Sequence, residues 1–285
     1  MFEVTTTKMQ TRVKRPSYRG RLQAAILDWA GTTVDYGCQA PTAVLLELFA
    51  ERGVPVSVPE IRQHMGLLKV DQIRAICSFP RVATAWREVH GRVPSHEDVD
   101  KLFQDFIPRQ LSCLERYSDL IPGVVETIRR FRERGIKVGT TTGYTRPMLE
   151  ILIAKAAGQG YRPDSNLCPD DVGAGRPMPW MCFENAIRLR VQPLEACVKI
   201  GDTVSDVHEG LNAGMWTIAV AATGNEVGLT EPEMNALDDA ERQARVDEAR
   251  QRLAVAGAHY VVDSVAGCED VLEEIDSRLR DGETP

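Results

Sequence analysis

An apolar run, Ala24-Ala25-Ile26-Leu27, ends directly on Asp28-Trp29-Ala30-Gly31-Thr32-Thr33. A short run without polar alternation is the pattern of a strand buried on both faces, as strands of parallel sheets are. A carboxylate at the end of such a strand, followed by Gly-Thr-Thr, stands at the edge where open α/β folds bind their ligands. This segment restricts the chain to architectures built on a parallel sheet. It also marks Asp28 as a candidate for chemistry.

The pattern beyond it is uneven. Residues 41–118 read as helical throughout. Val44, Leu45, Leu48 and Phe49 recur at helical spacing between Pro41 and Arg52, and Gly53 ends them. The spacing of Ile61, Met65, Leu68 and Ile73 predicts a second helix from Pro59 to Cys77. Two more are expected around Pro80–His90 and Glu97–Tyr117. Strand and helix then alternate, with extended segments at 136–141, 165–168, 196–201, 216–221 and 259–262. Helices are expected between them at 123–134, 146–158, 180–189, 206–213 and 231–253, and a last one at the end. Such alternation implies a doubly wound parallel sheet. The expected fold is therefore α/β: a Rossmann-like core from 22–37 and 119–285, with an all-helical cap inserted at 38–118.

Residues 1–21 are polar and basic, and are expected to form a loosely ordered extension rather than a nucleic-acid arm or targeting peptide. A net charge of −7 argues against nucleic acid or an anionic membrane as a partner, so an anionic substrate must meet a local cluster of cations. Seven scattered cysteines, with no C-x-x-C pair, suggest reduced thiols rather than a disulfide frame or zinc site. No apolar run approaches the roughly 18–20 residues of a membrane span, and no secretory apolar region is evident. A cytoplasmic location is the expectation.

Three strand ends carry polar turns: Asp28, Thr141-Thr142-Gly143-Tyr144, and Gly201-Asp202-Thr203-Val204-Ser205-Asp206. In a doubly wound sheet these share one edge. A carboxylate that attacks phosphorus forms an aspartyl-phosphate and splits one hard step into two. Mg²⁺ suits such a site, held by hard oxygens of Asp28 and Asp202. Thr142 offers hydroxyl and backbone N–H donors at a helix start. Arg176, within Gly173-Ala174-Gly175-Arg176-Pro177, is the candidate guanidinium for phosphoryl oxygens.

The Asp28 segment resembles the haloacid dehalogenase superfamily of aspartate-nucleophile phosphotransferases. Its phosphatases and mutases carry a second Asp two residues after the first, to protonate the leaving oxygen and later activate water. Here that position is Ala30, which offers only a backbone carbonyl. Either the protein is no enzyme, or its leaving group needs no acid. Lys69, in Met65-Gly66-Leu67-Leu68-Lys69, suggests the second. Apolar neighbours disfavour its ammonium, and a neutral amine can condense with a carbonyl. An iminium β to a carbon–phosphorus bond lets the carbon depart as an enamine, without a proton from a second aspartate.

Together these segments resemble phosphonoacetaldehyde hydrolase (phosphonatase), a family of the haloacid dehalogenase superfamily. The matching pieces are Asp28–Cys38, Met65–Lys69, Thr141–Arg146, Pro169–Asp171, Gly175–Pro177, Pro179–Cys182, Gly201–Asp206 and Asn212–Trp216. The resemblance implies Asp28 as nucleophile and Lys69 as the Schiff-base lysine. It implies Mg²⁺ on Asp28, the Ala30 carbonyl and Asp202, with Asp206 supporting that shell. Arg176, Thr142 and Gly143 would bind the phosphonate, while Met65, Tyr144 and Cys38 would line the pocket. It further implies a homodimer through the caps and a place in phosphonate (2-aminoethylphosphonate) degradation. Some members carry a histidine three residues after the lysine; here it is Gln72, and His64 lies about 80° away from it on a continuous helix. The competing readings are a phosphomonoesterase or phosphomutase, and a catalytically silent protein that binds a phosphorylated metabolite.

Overall fold

The computed structural model describes residues 17–285, so the basic extension expected over 1–21 lies outside the described residues as far as position 16. β1 (Ala24–Leu27) is wholly buried and central to a six-stranded sheet. β2 (Lys137–Thr141) and β3 (Ser165–Leu167) lie on one side of it. β4 (Cys197–Gly201), β5 (Trp216–Val220) and β6 (Tyr260–Val262) lie on the other. Every pairing is parallel, in the order β3-β2-β1-β4-β5-β6. The order therefore reverses between β1 and β4, and a crevice opens at their C-terminal ends. Alternate residues of β1 feed opposite layers: Ala25 and Leu27 join one apolar cluster, Ala24 and Ile26 another.

Between β1 and β2 the chain is helical: α1 (Gln39–Glu51), α2 (Val58–Arg62), α3 (Lys69–Ser78), α4 (Pro80–His90) and α5 (His96–Leu114). α2 and α5 begin with capping boxes, Ser57 with Glu60 and Ser95 with Asp98, which satisfy free N–H groups at each start. This helical insert packs Leu45, Phe49, Ile73, Trp86 and Phe106 into the same apolar cluster as Leu27 and Val138 of the sheet. The remaining helices are α6 (Val124–Glu133), α7 (Arg146–Gly158), α8 (Pro169–Val172), α9 (Trp180–Leu189), α10 (Val204–Asn212), α11 (Glu231–Ala236), α12 (Asp239–Val255) and α13 (Cys268–Asp281). Among the described residues no helix is long and apolar enough to cross a membrane. All seven cysteines are buried and unpaired.

The helix expected from Pro59 to Cys77 is broken. α2 stops at Arg62, and the chain turns through residues 63–68 before α3 begins at Lys69. Gly66 takes φ 86°, and a Cβ there would stand 2.4 Å from Thr203 Oγ1 in the loop after β4. Gly143 meets the same turn, since its Cβ would fall 2.4 Å from the Leu67 carbonyl. Close approach to two core loops outweighs the local periodicity, which cannot record it. The 80° separation of His64 from Gln72 therefore does not apply; His64 packs on the Phe79 ring, centroids 5.2 Å apart.

Candidate active site

Asp28 follows β1, Thr142 follows β2 and Asp202 follows β4, so three adjacent strands deliver their polar turns to the switch point. Ladder register sets their heights. Leu27 pairs with Thr140 on one side and Ile200 on the other, and Asp28 N–H donates to the Ile200 carbonyl at 2.9 Å. The chain then turns tightly, with the N–H groups of Thr33 and Val34 both donating to the Trp29 carbonyl. Gly31 at φ 85° brings this turn against Asp202, because a Cβ there would lie 2.2 Å from Asp202 Oδ2.

A small cavity is lined by Asp28, Ala30, Cys38, Met65, Lys69, Thr142, Gly143, Tyr144 and Arg176, each singled out from sequence. Pro41, Gly66 and Thr203 complete the lining. Asp202 and Asp206 join Asp28 in a buried cluster whose ligand atoms all lie within 4.8 Å of one another. The fold thus gathers residues from five separate stretches of sequence.

The carboxylates of the cluster are not equivalent. Asp206 Oδ1 accepts from Lys199 Nζ at 2.6 Å and lies 3.0 Å from Arg176 Nη2, while Oδ2 accepts from Thr203 Oγ1 at 2.6 Å. Burial opposes its ionisation, but Arg176 and Lys199 prevail and hold its pKa below the ordinary value. Burial raises Asp202, and the charges of Asp28 and Asp206 push it the same way. Burial also raises Asp28, against the pull of Arg176. Four buried carboxylates, counting Glu209, face two buried cations, Arg176 and Lys199. A hard divalent cation fits this donor set and its excess negative charge. Asp28 and Asp202 have oxygens to give it, whereas Asp206 is occupied by its own hydrogen bonds.

Arg176 is a buried residue rather than a loop arginine in solvent. Its Nη2 donates to Asp28 Oδ1 at 2.5 Å and Thr141 Oγ1 at 2.7 Å, and its Nε to Glu209 Oε2 at 2.9 Å. The Cys38 thiol donates to the Ala30 carbonyl at 3.0 Å and reaches Asp202 Oδ2 at 3.4 Å. Burial raises that thiol's pKa well above normal, keeping it a neutral donor.

Lys69 enters from the insert at the first turn of α3 and is only 4% exposed. Its Nζ donates to Gln72 Oε1 at 2.9 Å, approaches Met65 Sδ at 3.8 Å and stands 5.3 Å from the centre of the Tyr144 ring. Desolvation dominates and lowers its pKa to about 8, although Cys38 and Asp28 pull it upward. An amine of this kind is neutral in a useful fraction near pH 8 and can act as a nucleophile.

Sequence reasoning missed Lys199 and Glu209. A lysine inside the otherwise apolar strand 197–201 was a legible anomaly, because a buried ammonium demands a carboxylate partner. Glu209 stands three residues after Asp206, on the same face of α10.

The haloacid dehalogenase-like hydrolase family matches residues 22–214, and a second, HAD-hydrolase-like family matches 173–268. The chain is 49% identical to a phosphonoacetaldehyde hydrolase of Syntrophobacter fumaroxidans, over 97% of this chain and 100% of that protein. It is 46% identical to a phosphonoacetaldehyde hydrolase of Bacillus cereus, over 90% of this chain and 98% of the relative. A crystal structure of a phosphonoacetaldehyde hydrolase-like protein from Oleispira antarctica superposes with a TM-score of 0.93 at 40% identity, covering 98% of this chain and all of that one. On a fold that sets Asp28 at the switch point and a buried lysine across the cavity from it, these likenesses carry one conclusion: the chain belongs to the phosphonoacetaldehyde hydrolase family of haloacid dehalogenase-like hydrolases.

Proposed function

We propose that this chain hydrolyses the C–P bond of phosphonoacetaldehyde to acetaldehyde and phosphate. The observation that carries the reading is one buried cavity shared by a lysine of lowered pKa and a strand-end aspartate, with Ala30 where an ester-cleaving relative needs an acid. Neutral Lys69 attacks the aldehyde, water leaves, and an iminium forms. The phosphonate lies toward Arg176 and Thr142. Asp28 attacks phosphorus, the C–P bond breaks, and its electron pair moves into the enamine on Lys69. One water cleaves the aspartyl-phosphate. Protonation of the enamine carbon and hydrolysis of the resulting iminium by a second water release acetaldehyde and free Lys69, so one water is consumed overall.

Asp28, the Ala30 carbonyl and Asp202 hold Mg²⁺ in this reading, with Asp206 steadying Arg176 and Lys199 beside them. When bound, the ion offsets repulsion between the Asp28 carboxylate and the phosphoryl oxygens. The helices of 38–118 act as a cap over the cavity, and pairing of two caps in a homodimer agrees with the family resemblance. A role in phosphonate degradation in the cytoplasm follows from the same reading.

The test joins phosphate release to covalent capture. Phosphonoacetaldehyde should yield one phosphate per acetaldehyde in the presence of Mg²⁺, and borohydride added during turnover should fix a two-carbon adduct on Lys69. Turnover without any adduct at Lys69 would reject the Schiff-base route. Cleavage of simple phosphate esters in preference to the phosphonate would favour the phosphomonoesterase reading instead.

A further inference from the structure

Arg62 closes α2, yet its guanidinium belongs to the core. Nη1 donates to the Gly37 carbonyl at 2.8 Å, the Asn225 carbonyl at 3.2 Å and Asn225 Oδ1 at 3.3 Å, and Nη2 donates to the Gly228 carbonyl at 2.8 Å. The contact is reciprocal, because Asn225 Nδ2 donates back to the Arg62 carbonyl at 3.1 Å. Asn225 then reaches the carboxylate cluster by its backbone, its N–H donating to Asp202 Oδ2 at 2.8 Å. One asparagine is therefore gripped by the helical insert through its side chain and its carbonyl, and bonded to Asp202 through its N–H.

The loop after β5 is shaped around both contacts. Gly228 has φ 68°, and a Cβ there would lie 2.4 Å from Arg62 Cζ. Gly224 lies as close to the other partner, since its Cβ would stand 2.4 Å from Asp202 Cβ. Both glycines leave room that a side chain would fill, one for the guanidinium and one for the carboxylate. Asn225 is buried and Arg62 largely so, which makes these hydrogen bonds costly to leave unmade.

We propose that Arg62 is a positioning residue which, through Asn225, holds Asp202 in its ligand geometry only while the helical insert is closed on the core. Closure over the cavity and completion of the metal site are then one event. A guanidinium is suited to this because its planar fork meets several carbonyls from a single side chain. The proposal rests on the reading of Asp202 as a metal ligand, and it adds a residue of the helical insert that stands 140 positions before Asp202 in the chain.

The test is Mg²⁺ binding to the full chain by titration calorimetry, with hydrogen exchange of the 222–229 loop followed alongside. Arg62→Met should weaken Mg²⁺ binding roughly 10-fold or more, the usual scale for losing a group that orients a metal ligand, and should speed exchange in that loop. Asn225→Ala keeps the N–H to Asp202 and the main-chain carbonyl that Arg62 reaches, but loses both side-chain bonds to the insert. It should therefore weaken binding in the same direction by a smaller factor, and the double variant should be no weaker than Arg62→Met alone. If Arg62→Met fails to fold by circular dichroism, Asn225→Ala carries the same comparison. A wild-type chain that takes up no Mg²⁺ would overturn the metal reading, and the proposal with it. A wild-type chain that binds while both variants bind equally well would overturn the proposal alone.

Discussion

Lys69 Nζ and Gln72 Oε1 are 2.9 Å apart, and the Gln72 amide nitrogen donates to the Ile61 carbonyl at 3.1 Å. The backbone acceptor fixes which way the amide faces, so its oxygen is turned toward the amine. Gln72 cannot transfer protons, but it accepts from Lys69 whether that group is charged or neutral.

A pH dependence follows from this pair. Imine formation needs the neutral amine, whose fraction grows as pH rises through the Lys69 pKa of about 8. Borohydride capture at Lys69 should therefore climb about tenfold per pH unit below that value and level off above it. Gln72→Leu removes an acceptor that favours the ammonium, so its rise should be centred at lower pH. A wild-type rise centred near the ordinary 10.5 would contradict the buried-amine argument.

Ala30→Asp introduces the carboxylate that ester-cleaving relatives carry. Ala30 lines the same cavity as Lys69, so the new charge should stabilise the ammonium and raise the lysine pKa. Each unit of rise lowers the neutral fraction about tenfold at neutral pH. Phosphate release at pH 7 should fall by at least that factor and recover partly at pH 9. Unchanged release at pH 7 would show that the two groups do not interact.

Glu209→Ala leaves Arg176 and Lys199 short of a buried partner. Removing one member of a buried ion network costs about 3–5 kcal/mol, which at this chain length lowers Tm on the order of 10 °C. Inhibition by inorganic phosphate should also weaken, since Glu209 Oε2 takes the Arg176 Nε hydrogen bond at 2.9 Å and so aims the guanidinium. Calorimetry and competition assays measure the two effects separately.

Asp35 should make the fold lose stability between about pH 4 and pH 7. Burial raises its pKa from 3.8 to about 7, against the N–H groups of Ala40 and Gln39 that favour the carboxylate. The folded chain therefore keeps a proton over a range where the unfolded chain has lost it, and stability falls as pH rises from about 4 to about 7. The loss amounts to a few kcal/mol at most, on the order of 2–4. Asp35→Asn tolerates the φ of 54° at this position and removes the titration. Its unfolding free energy should decline less than that of the wild type between about pH 4 and pH 7.

Much of the sheet could be read from short local patterns. The limits of the helices at 146–158 and 180–189 coincide with those of α7 and α9, because Pro, Gly and apolar spacing mark them within one window. The helix across Gly66 could not be read correctly. The reason for its break lies at Thr203 and Gly143, more than seventy residues away. Arg176 shows a similar limit. Its residue type suggested an anion ligand, but its contacts with Asp28, Asp206 and Glu209 depend on how β1, α10 and the loop before α9 meet.

The sequence by itself determined the parallel sheet, the helical insert and the order of polar turns along one edge, since strand burial, helical spacing and turn residues are properties of neighbours in the chain. It also carried Ala30 and Lys69, the two residue types that most narrow the chemistry. Tertiary structure alone decided that these meet in one cavity, that Lys69 is stripped of water there, and that Lys199 and Glu209 share the charge of Arg176. Only the folded chain, too, could carry Arg62 across to Asn225. Desolvation and charge pairing depend on what surrounds a group in space, and no local stretch of sequence contains that information.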